Sequence, residues 1–239
     1  MKIISFVQRR TTTDTTAVVA AIADHLSGAY RRSILVVDLD PQGQLTAALL
    51  GYARWAVADA AQKTAADGSS LHPLDRVVGA SPCALVASSP RLAEVELEPE
   101  GRDLSSWIGN FRGDFVLVQT PPSLGGLTRA ALAGSHAHVV LTEPTQLSAS
   151  GLATLPAALG RLATSATLGT VLCAPVRWPA DRQRLIEIEQ EPTLAPVWAA
   201  RVKRPLADDT WRNPGPMPLS VRWSQDYLAI TEELVRRAG

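Results

Sequence analysis

The sequence predicts an α/β protein, a doubly wound and mostly parallel sheet with helices on both faces. Three observations carry this expectation. Runs of strand length, rich in Val, Ile and Leu and apolar on both faces, recur along the chain, as strands covered from both sides require. Stretches with helical patterning separate them, which is the rhythm of βαβ units. The chain has 239 residues, 46 % hydrophobic and 19 % charged, enough to bury one sizeable core, so a single domain over residues 1–239 is expected.

The elements follow in order. A first strand is expected at residues 2–7 (KIISFV) and a helix at 16–27. Residues 33–38 (SILVVD) read as the second strand and 43–50 as the second helix. Residues 51–82, rich in Ala, Asp and Ser, predict short helices and loops. A weaker strand falls at 84–88, a helix at 102–110, a strand at 115–118 and a helix at 127–133. Strands at 138–142 and 167–174 and helices at 148–164 and 181–189 complete the alternation. Residues 201–219 carry Pro205, Pro214, Pro216 and Pro218. Proline disrupts helix interiors, so this stretch predicts a loop with at most one helical turn, near 207–211. The last helix, 222–237, mixes Trp223, Tyr227, Leu228, Ile230 and Leu234 with Asp226, Glu232 and Glu233. Its acids oppose anionic lipid, so it predicts a surface helix packed on the core. No internal repeat and no domain linker is visible.

Composition narrows the function classes. Net charge is zero and the sequence pI about 6.9, so the chain as a whole does not attract nucleic acid. Any DNA contact needs a local patch. The basic residues Arg201, Lys203, Arg204, Arg212 and Arg222, with Arg236 and Arg237, supply a candidate, diluted by Asp208, Asp209 and Asp226. The opening MKIISFVQRR is too short an apolar run for a signal peptide, and no stretch is long enough to span a bilayer. A soluble, cytoplasmic protein without a membrane partner is expected. Cys83 and Cys173 lie far apart without a CxxC spacing and read as buried thiols. His136 and His138 have no Cys or acidic partner at ligand spacing, and for His25 a favourable helix-end charge is the simplest account. Trp178, Trp198, Trp211 and Trp223 gather in the last third and predict core or dimer packing.

Three segments carry more than fold. Residues 36–46 read VVDLDPQGQLT, residues 115–128 FVLVQTPPSLGGLT, and residues 139–154 VVLTEPTQLSASGLAT. In the first, an apolar strand delivers Asp38 and Asp40 to its C-terminal mouth, and Gly43 frees the chain to turn into a helix. A plainer reading has Asp40 and Gln42 capping that helix. All three segments resemble the ParA/MinD group of P-loop ATPases, which segregate plasmids, chromosomes and other cargo. The resemblance runs from Lys2 to about Thr154, more loosely beyond. It implies the P-loop NTPase-like fold of that group, ATP and Mg²⁺ as family ligands, and Asp38 and Asp40 at the family's two acidic positions. The second of these is associated with positioning the attacking water. Glu143 and Pro144 match a Glu-Pro pair near the nucleotide and dimer face.

The chain departs from the family pattern at three places. Gln119 stands where the family's second motif ends in aspartate, which serves the magnesium shell. A neutral amide offers an oxygen but no charge. Residues 9–16, RRTTTDTT, stand where the family carries KGGVGKTT. Glycines there let backbone N–H groups close around phosphates, and lysines neutralise them. Aligned without a gap, Arg9 falls on the first lysine and Arg10, Thr11 and Thr13 on the three glycines. Thr12 takes the variable position, Asp14 the main phosphate lysine, and Thr15 the magnesium-ligating hydroxyl. Thr16 starts the helix. A charge about 4 Å from another is worth ~4 kcal/mol at an effective dielectric of ~20, so Lys to Asp costs on the order of a thousandfold in affinity even after screening. Third, the strand expected at 167–174 leads into Ala174, Pro175 and Val176, which offer adenine no side-chain hydrogen bond.

These departures predict no bound ATP or Mg²⁺ in the family's manner and no working catalytic group at Asp14, Asp40 or Gln119. The leading expectation is a ParA-like partition protein acting as a non-hydrolysing DNA- or protein-binding module. Its expected partners are a second copy or an intact ParA-type ATPase, a ParB-like protein, or non-specific DNA, with nucleoid association. Two alternatives stand beside it. One is a divergent but active ATPase with Arg9 and Arg10 as phosphate ligands and Asp40 orienting water. The other is a structural interaction protein without a DNA role.

Overall fold

A computed structural model describes residues 1–8, 13–68, 70–74, 83–97, 102–142, 158–162, 164–173, 179–190, 196–198 and 225–239. Among the described residues seven strands form one sheet: β1 (Lys2–Gln8), β2 (Ile34–Asp38), β3 (Leu71–Pro73), β4 (Cys83–Val86), β5 (Phe115–Gln119), β6 (Ala137–Thr142) and β7 (Ala166–Leu172). Their spatial order is β3-β4-β2-β5-β1-β6-β7. All neighbours are parallel except β3, which runs antiparallel to β4 at one edge. The expected doubly wound, mostly parallel sheet is therefore the observed one.

The helices are α1 (Thr13–Gly28), α2 (Gln44–Leu50), α3 (Tyr52–Ala60), α4 (Leu92–Val95), α5 (Ser105–Ile108), α6 (Gly126–Gly134), α7 (Pro179–Gln190) and α8 (Gln225–Ala238). Residues 158–162 are helical as well, within the stretch expected to be helix. The apolar faces of the sheet bury two layers. Ile4, Phe6, Val36, Leu117 and Val139 pack against α1, α2 and α8. Ile3, Val37, Val86, Val116 and Val118 pack against α4, α5 and α6, with the indole of Trp107 fully buried among them. Its Nε1 donates to the Ala65 carbonyl at 2.8 Å, satisfying the ring's one polar atom.

Several expectations are refined. The helix expected over 102–110 is a single turn, ended by Gly109 at φ 55°. Residues 51–82 hold a nine-residue helix and the β3 edge. The strand expected at 84–88 stops at Val86, because the Ser88 N–H turns to the Thr46 hydroxyl at 2.8 Å. His25 is buried, and its Nδ1 pairs with Thr231 Oγ1 at 3.0 Å, so it ties α1 to α8 rather than presenting a charge at a helix end. The last helix does pack on the core, through Tyr227, Ile230, Thr231 and Leu234. Both cysteines are buried. Trp198 is buried too and donates to the Leu168 carbonyl. Trp178, Trp211 and Trp223 and the loop expected at 201–219 lie outside the described residues. His136 Nδ1 accepts the Ile3 N–H, and His138 pairs with the Ser165 and Thr167 hydroxyls. Among the described residues no helix is long and apolar enough to cross a membrane.

Candidate functional site at the carboxyl ends of β2 and β5

Open parallel sheets bind ligands outside the carboxyl ends of their strands, and the candidate residues collect there. Asp38 ends β2 and Gln119 ends β5, and the two are directly paired across the parallel ladder, with Phe6 of β1 on the far side of Gln119. Residues paired this way project to the same face. Phe6 belongs to the layer packed against α1, so Asp38 and Gln119 point towards α1, whose Thr16 is also buried.

The loop after β2 is locked from within. The carboxylate of Asp38 is fully buried, and its Oδ2 accepts both the N–H and the hydroxyl of Thr46, at 2.8 and 2.7 Å. Its Oδ1 accepts the Asp40 N–H at 3.2 Å. Thr46 Oγ1 in turn accepts the Ser88 N–H, so this one hydroxyl joins β2, α2 and the chain leaving β4. The Ser88 hydroxyl donates to the Asp40 carbonyl. Asp40 is also buried, and its Oδ1 accepts the Gln42 N–H at 3.0 Å. The plainer reading of Asp40 is thus refined. It braces the turn 40–43, closed by Gly43 N–H to the Asp40 carbonyl, whereas α2, with Gly43 at its N-cap, has no side-chain cap. Gly43 sits at φ 60° and ψ 24°, the left-handed conformation that glycine adopts without steric cost. Thr46 and Ser88 were not legible as site residues.

Burial foremost, then the Asp40 charge, pushes the Asp38 carboxyl from 3.8 up to about 7, although the bonds from Thr46 and Asp40 pull the other way. A carboxyl so placed is half protonated near neutrality. At Gln119 the backbone carbonyl accepts the Leu39 N–H at 3.0 Å. The residue is 0 % exposed, and among the described residues neither amide atom has a hydrogen-bond partner. The same holds for the hydroxyl of Thr16. Buried polar atoms are nearly always paired, so this corner stands out chemically.

The loop after β5 is held by Glu96. Its Oε2 accepts the Leu127 N–H at the start of α6, and its Oε1 accepts the Ser123 hydroxyl, at 2.7 and 2.8 Å. A carboxylate suits a helix N-terminus. A Cβ on Gly125 would fall 1.7 Å from Glu96 Oε1, so a side chain there would displace this carboxylate from its partners.

Of the other sequence candidates, Arg9, Arg10, Thr11 and Thr12 lie outside the described residues, as do Glu143, Pro144 and Ala174–Val176. Thr13, Asp14 and Thr15 begin α1, but their side chains are outside the description. Arg201, Lys203, Arg204, Arg212 and Arg222 are outside it too. Arg236 and Arg237 are described, and Glu233 pairs with both, at 2.5 and 2.6 Å.

Comparison with known proteins fits this arrangement. Residues 1–168 match a family model described as an AAA domain. Over 130 residues the chain is 34 % identical to the chromosome-partitioning ATPase Soj of Thermus thermophilus, covering 54 % of this chain and 49 % of the relative. The match thus spans about half the length of that curated relative. Among solved structures, cobyrinic acid a,c-diamide synthase from Mycobacterium smegmatis superposes with a TM-score of 0.71 at 22 % identity, over 97 % of this chain and 91 % of that one. The ParA of pNOB8, solved bound to nonspecific DNA, gives 0.71 at 18 % identity over 99 % and 98 %. A plasmid partition protein from Borrelia burgdorferi B31, solved with AMPPNP, gives 0.69 at 13 % identity over 99 % and 98 %. At these identities the structures establish the fold. With the family model covering most of the chain, the chain belongs to the AAA domain family and is of its ParA/MinD type.

Proposed function

We propose that this chain is a ParA-like partition protein whose nucleotide pocket no longer supports hydrolysis, and that it works as a DNA- or protein-binding module. The observation that carries the proposal is the charge at the mouth of β2 and β5. A magnesium shell draws on carboxylate oxygens that are free and ionised. Here the oxygens of Asp38 accept three internal hydrogen bonds and its carboxyl is raised to about 7. Gln119 contributes a neutral amide. This donor set does not fit a divalent cation. The sequence of the first loop points the same way, with Asp14 on the position of the main phosphate lysine and three threonine or arginine side chains on the glycines.

The partition role rests on kinship with a chromosome-partitioning ATPase and on the shared fold of a ParA solved on nonspecific DNA. A family switch without its nucleotide can be held in one state by protein contacts alone. The partners proposed are a second copy or an intact ParA-type ATPase, a ParB-like protein, and non-specific DNA on the nucleoid. DNA contact falls to Arg201, Lys203, Arg204, Arg212 and Arg222, because phosphate contacts need only charge and reach.

Calorimetry with ATP, with and without Mg²⁺, tests the pocket. No binding at micromolar concentrations is expected, and a micromolar dissociation constant in either condition defeats the non-hydrolysing reading in favour of a divergent ATPase. Separately, reversing the charge at Arg201, Lys203 and Arg204 is expected to weaken retention on duplex DNA and to flatten its salt dependence. Unchanged retention leaves an interaction protein without a DNA role.

A further inference from the structure

At the edge opposite β3, β7 is the last strand in the sheet order among the described residues, and a short segment lies along it. Residues 196–198 run parallel to β7, with Val197 bridged to Thr170. The Thr170 N–H donates to the Pro196 carbonyl at 2.9 Å, and the Trp198 N–H donates to the Thr170 carbonyl at 2.8 Å. Val197 packs with Leu172 and Ile188, and Trp198 is 2 % exposed.

The slot that takes this tryptophan is shaped to it. The indole Nε1 donates to the Leu168 carbonyl at 2.9 Å, which also accepts from Arg237 Nη1 at 3.3 Å. The Arg237 guanidinium, braced by Glu233 at 2.6 Å, stands 5.5 Å from the ring centroid, within cation–π range. Gly169 opens the floor. It sits at φ 130°, where side chains are rarely tolerated. A Cβ there would run into the Pro196 carbonyl and fall 2.5 Å from Trp198 Nε1. The β6–β7 register shifts at this point, between His138 and Val139, so the edge strand itself departs from regularity where the segment docks.

We propose that the outer edge of β7 is a strand-addition site for an extended segment bearing a tryptophan, filled in cis by residues 196–198 and filled in trans by the same segment of a second copy of this chain. Main-chain bonds to an edge strand give such a site its affinity, and a pocket for one side chain gives it specificity. Among the described residues two main-chain bonds join the segment to β7, against six residue pairs between β6 and β7, so the segment is the part of this edge that opens at least cost. Exchange between copies remakes each contact that it breaks, which makes swapping a low-cost route to a dimer. This placement rests on the reading above that a second copy is a partner, and it says where that copy binds.

In the parent chain, hydrogen exchange is expected to release the Thr170 and Trp198 amides through one shared opening, about tenfold or more faster than the Cys173 amide, which donates inward to Thr142. A fluorescein-labelled peptide of residues 193–200 stands in for the second copy's segment. Trp198→Ala empties the slot, and fluorescence anisotropy is expected to show this variant taking up the peptide more tightly than the parent, whose own segment competes. Alanine for tryptophan in the peptide, or Gly169→Ala added to the variant, is expected to weaken uptake about tenfold or more, a loss of about 1.4 kcal/mol. Circular dichroism confirms that each variant is folded. The site is overturned if the two amides exchange only on global unfolding, if the emptied variant ignores the peptide, or if the alanine peptide binds as well. Sedimentation reads self-association separately. A parent dimer that survives Gly169→Ala puts the second copy elsewhere and overturns the pairing in trans, while a parent that stays monomeric removes the second copy as a partner and the pairing with it.

Discussion

Stability is expected to fall by about 3 kcal/mol between pH 5 and pH 8, and Asp38→Asn to remove most of that slope. The Asp38 carboxyl is fully buried and raised from 3.8 to about 7 by burial first and by Asp40 second. Between those two values the folded chain keeps a proton that the unfolded chain has released. The stabilisation is therefore whole below about pH 4 and is lost as pH rises through about 7. At ~1.36 kcal/mol per unit the full loss is about 4 kcal/mol, shared by the Asp38–Asp40 pair as a unit. His138 acts in the opposite sense. Burial holds it below its ordinary 6.5, so it costs stability as pH falls beneath that value. The difference between parent and variant cancels His138 and isolates Asp38. Asparagine keeps the shape and accepts from Thr46, but its amide N–H₂ meets the Asp40 N–H, so the variant is expected to be the weaker chain at pH 5. At pH 8, where the parent carries a buried charge, the gap closes. Urea unfolding across this range measures both, and an unaltered slope in the variant would dismiss the account.

The strands that build the site were legible because each is apolar on both faces. β2 and β5 were placed to within one residue at either end, since short Val- and Leu-rich runs apolar on both faces suit covered parallel strands. β3 was not legible. Three residues with a proline, half exposed, carry no periodicity, and only pairing to β4 makes them a strand. The one-turn helices α4 and α5 were illegible or overdrawn for the same reason. They are held by buried Leu92, Val95, Trp107 and Ile108, contacts that exist only after folding. At the site, Asp38, Asp40 and Gln119 announced themselves as polar residues at the ends of apolar runs. Thr46 and Ser88 did not. A threonine in a helix and a serine past a strand are ordinary in sequence, and their roles arise from register, which sets β2 beside β4 and brings the Ser88 N–H to the hydroxyl that already serves Asp38. His25 misled for a related reason, because helix position gives its charge environment but not the α8 hydroxyl packed against it.

Gln119→Met is expected to stabilise the chain by about 1–3 kcal/mol, the cost of burying an amide without hydrogen bonds. Scaled for a chain of this size, that is a rise in melting temperature of roughly 3–10 °C. Methionine has similar length and bends to fill the space, and it removes two buried polar atoms that lack partners among the described residues. Gln119→Asp is expected to move the other way. It sets a second carboxylate beside Asp38, its direct partner across the ladder, in a corner where Asp40 already raises the first. Like charges at this separation cannot both ionise cheaply, so the aspartate variant is expected to lose stability most at high pH. The opposite signs of the two variants are the test, read as melting temperatures in the presence of a chelator. If methionine proves neutral or harmful, the Gln119 amide has a hydrogen-bonding partner in solution. If aspartate is stabilising once Mg²⁺ is added, one residue suffices to restore a cation shell at the end of β5.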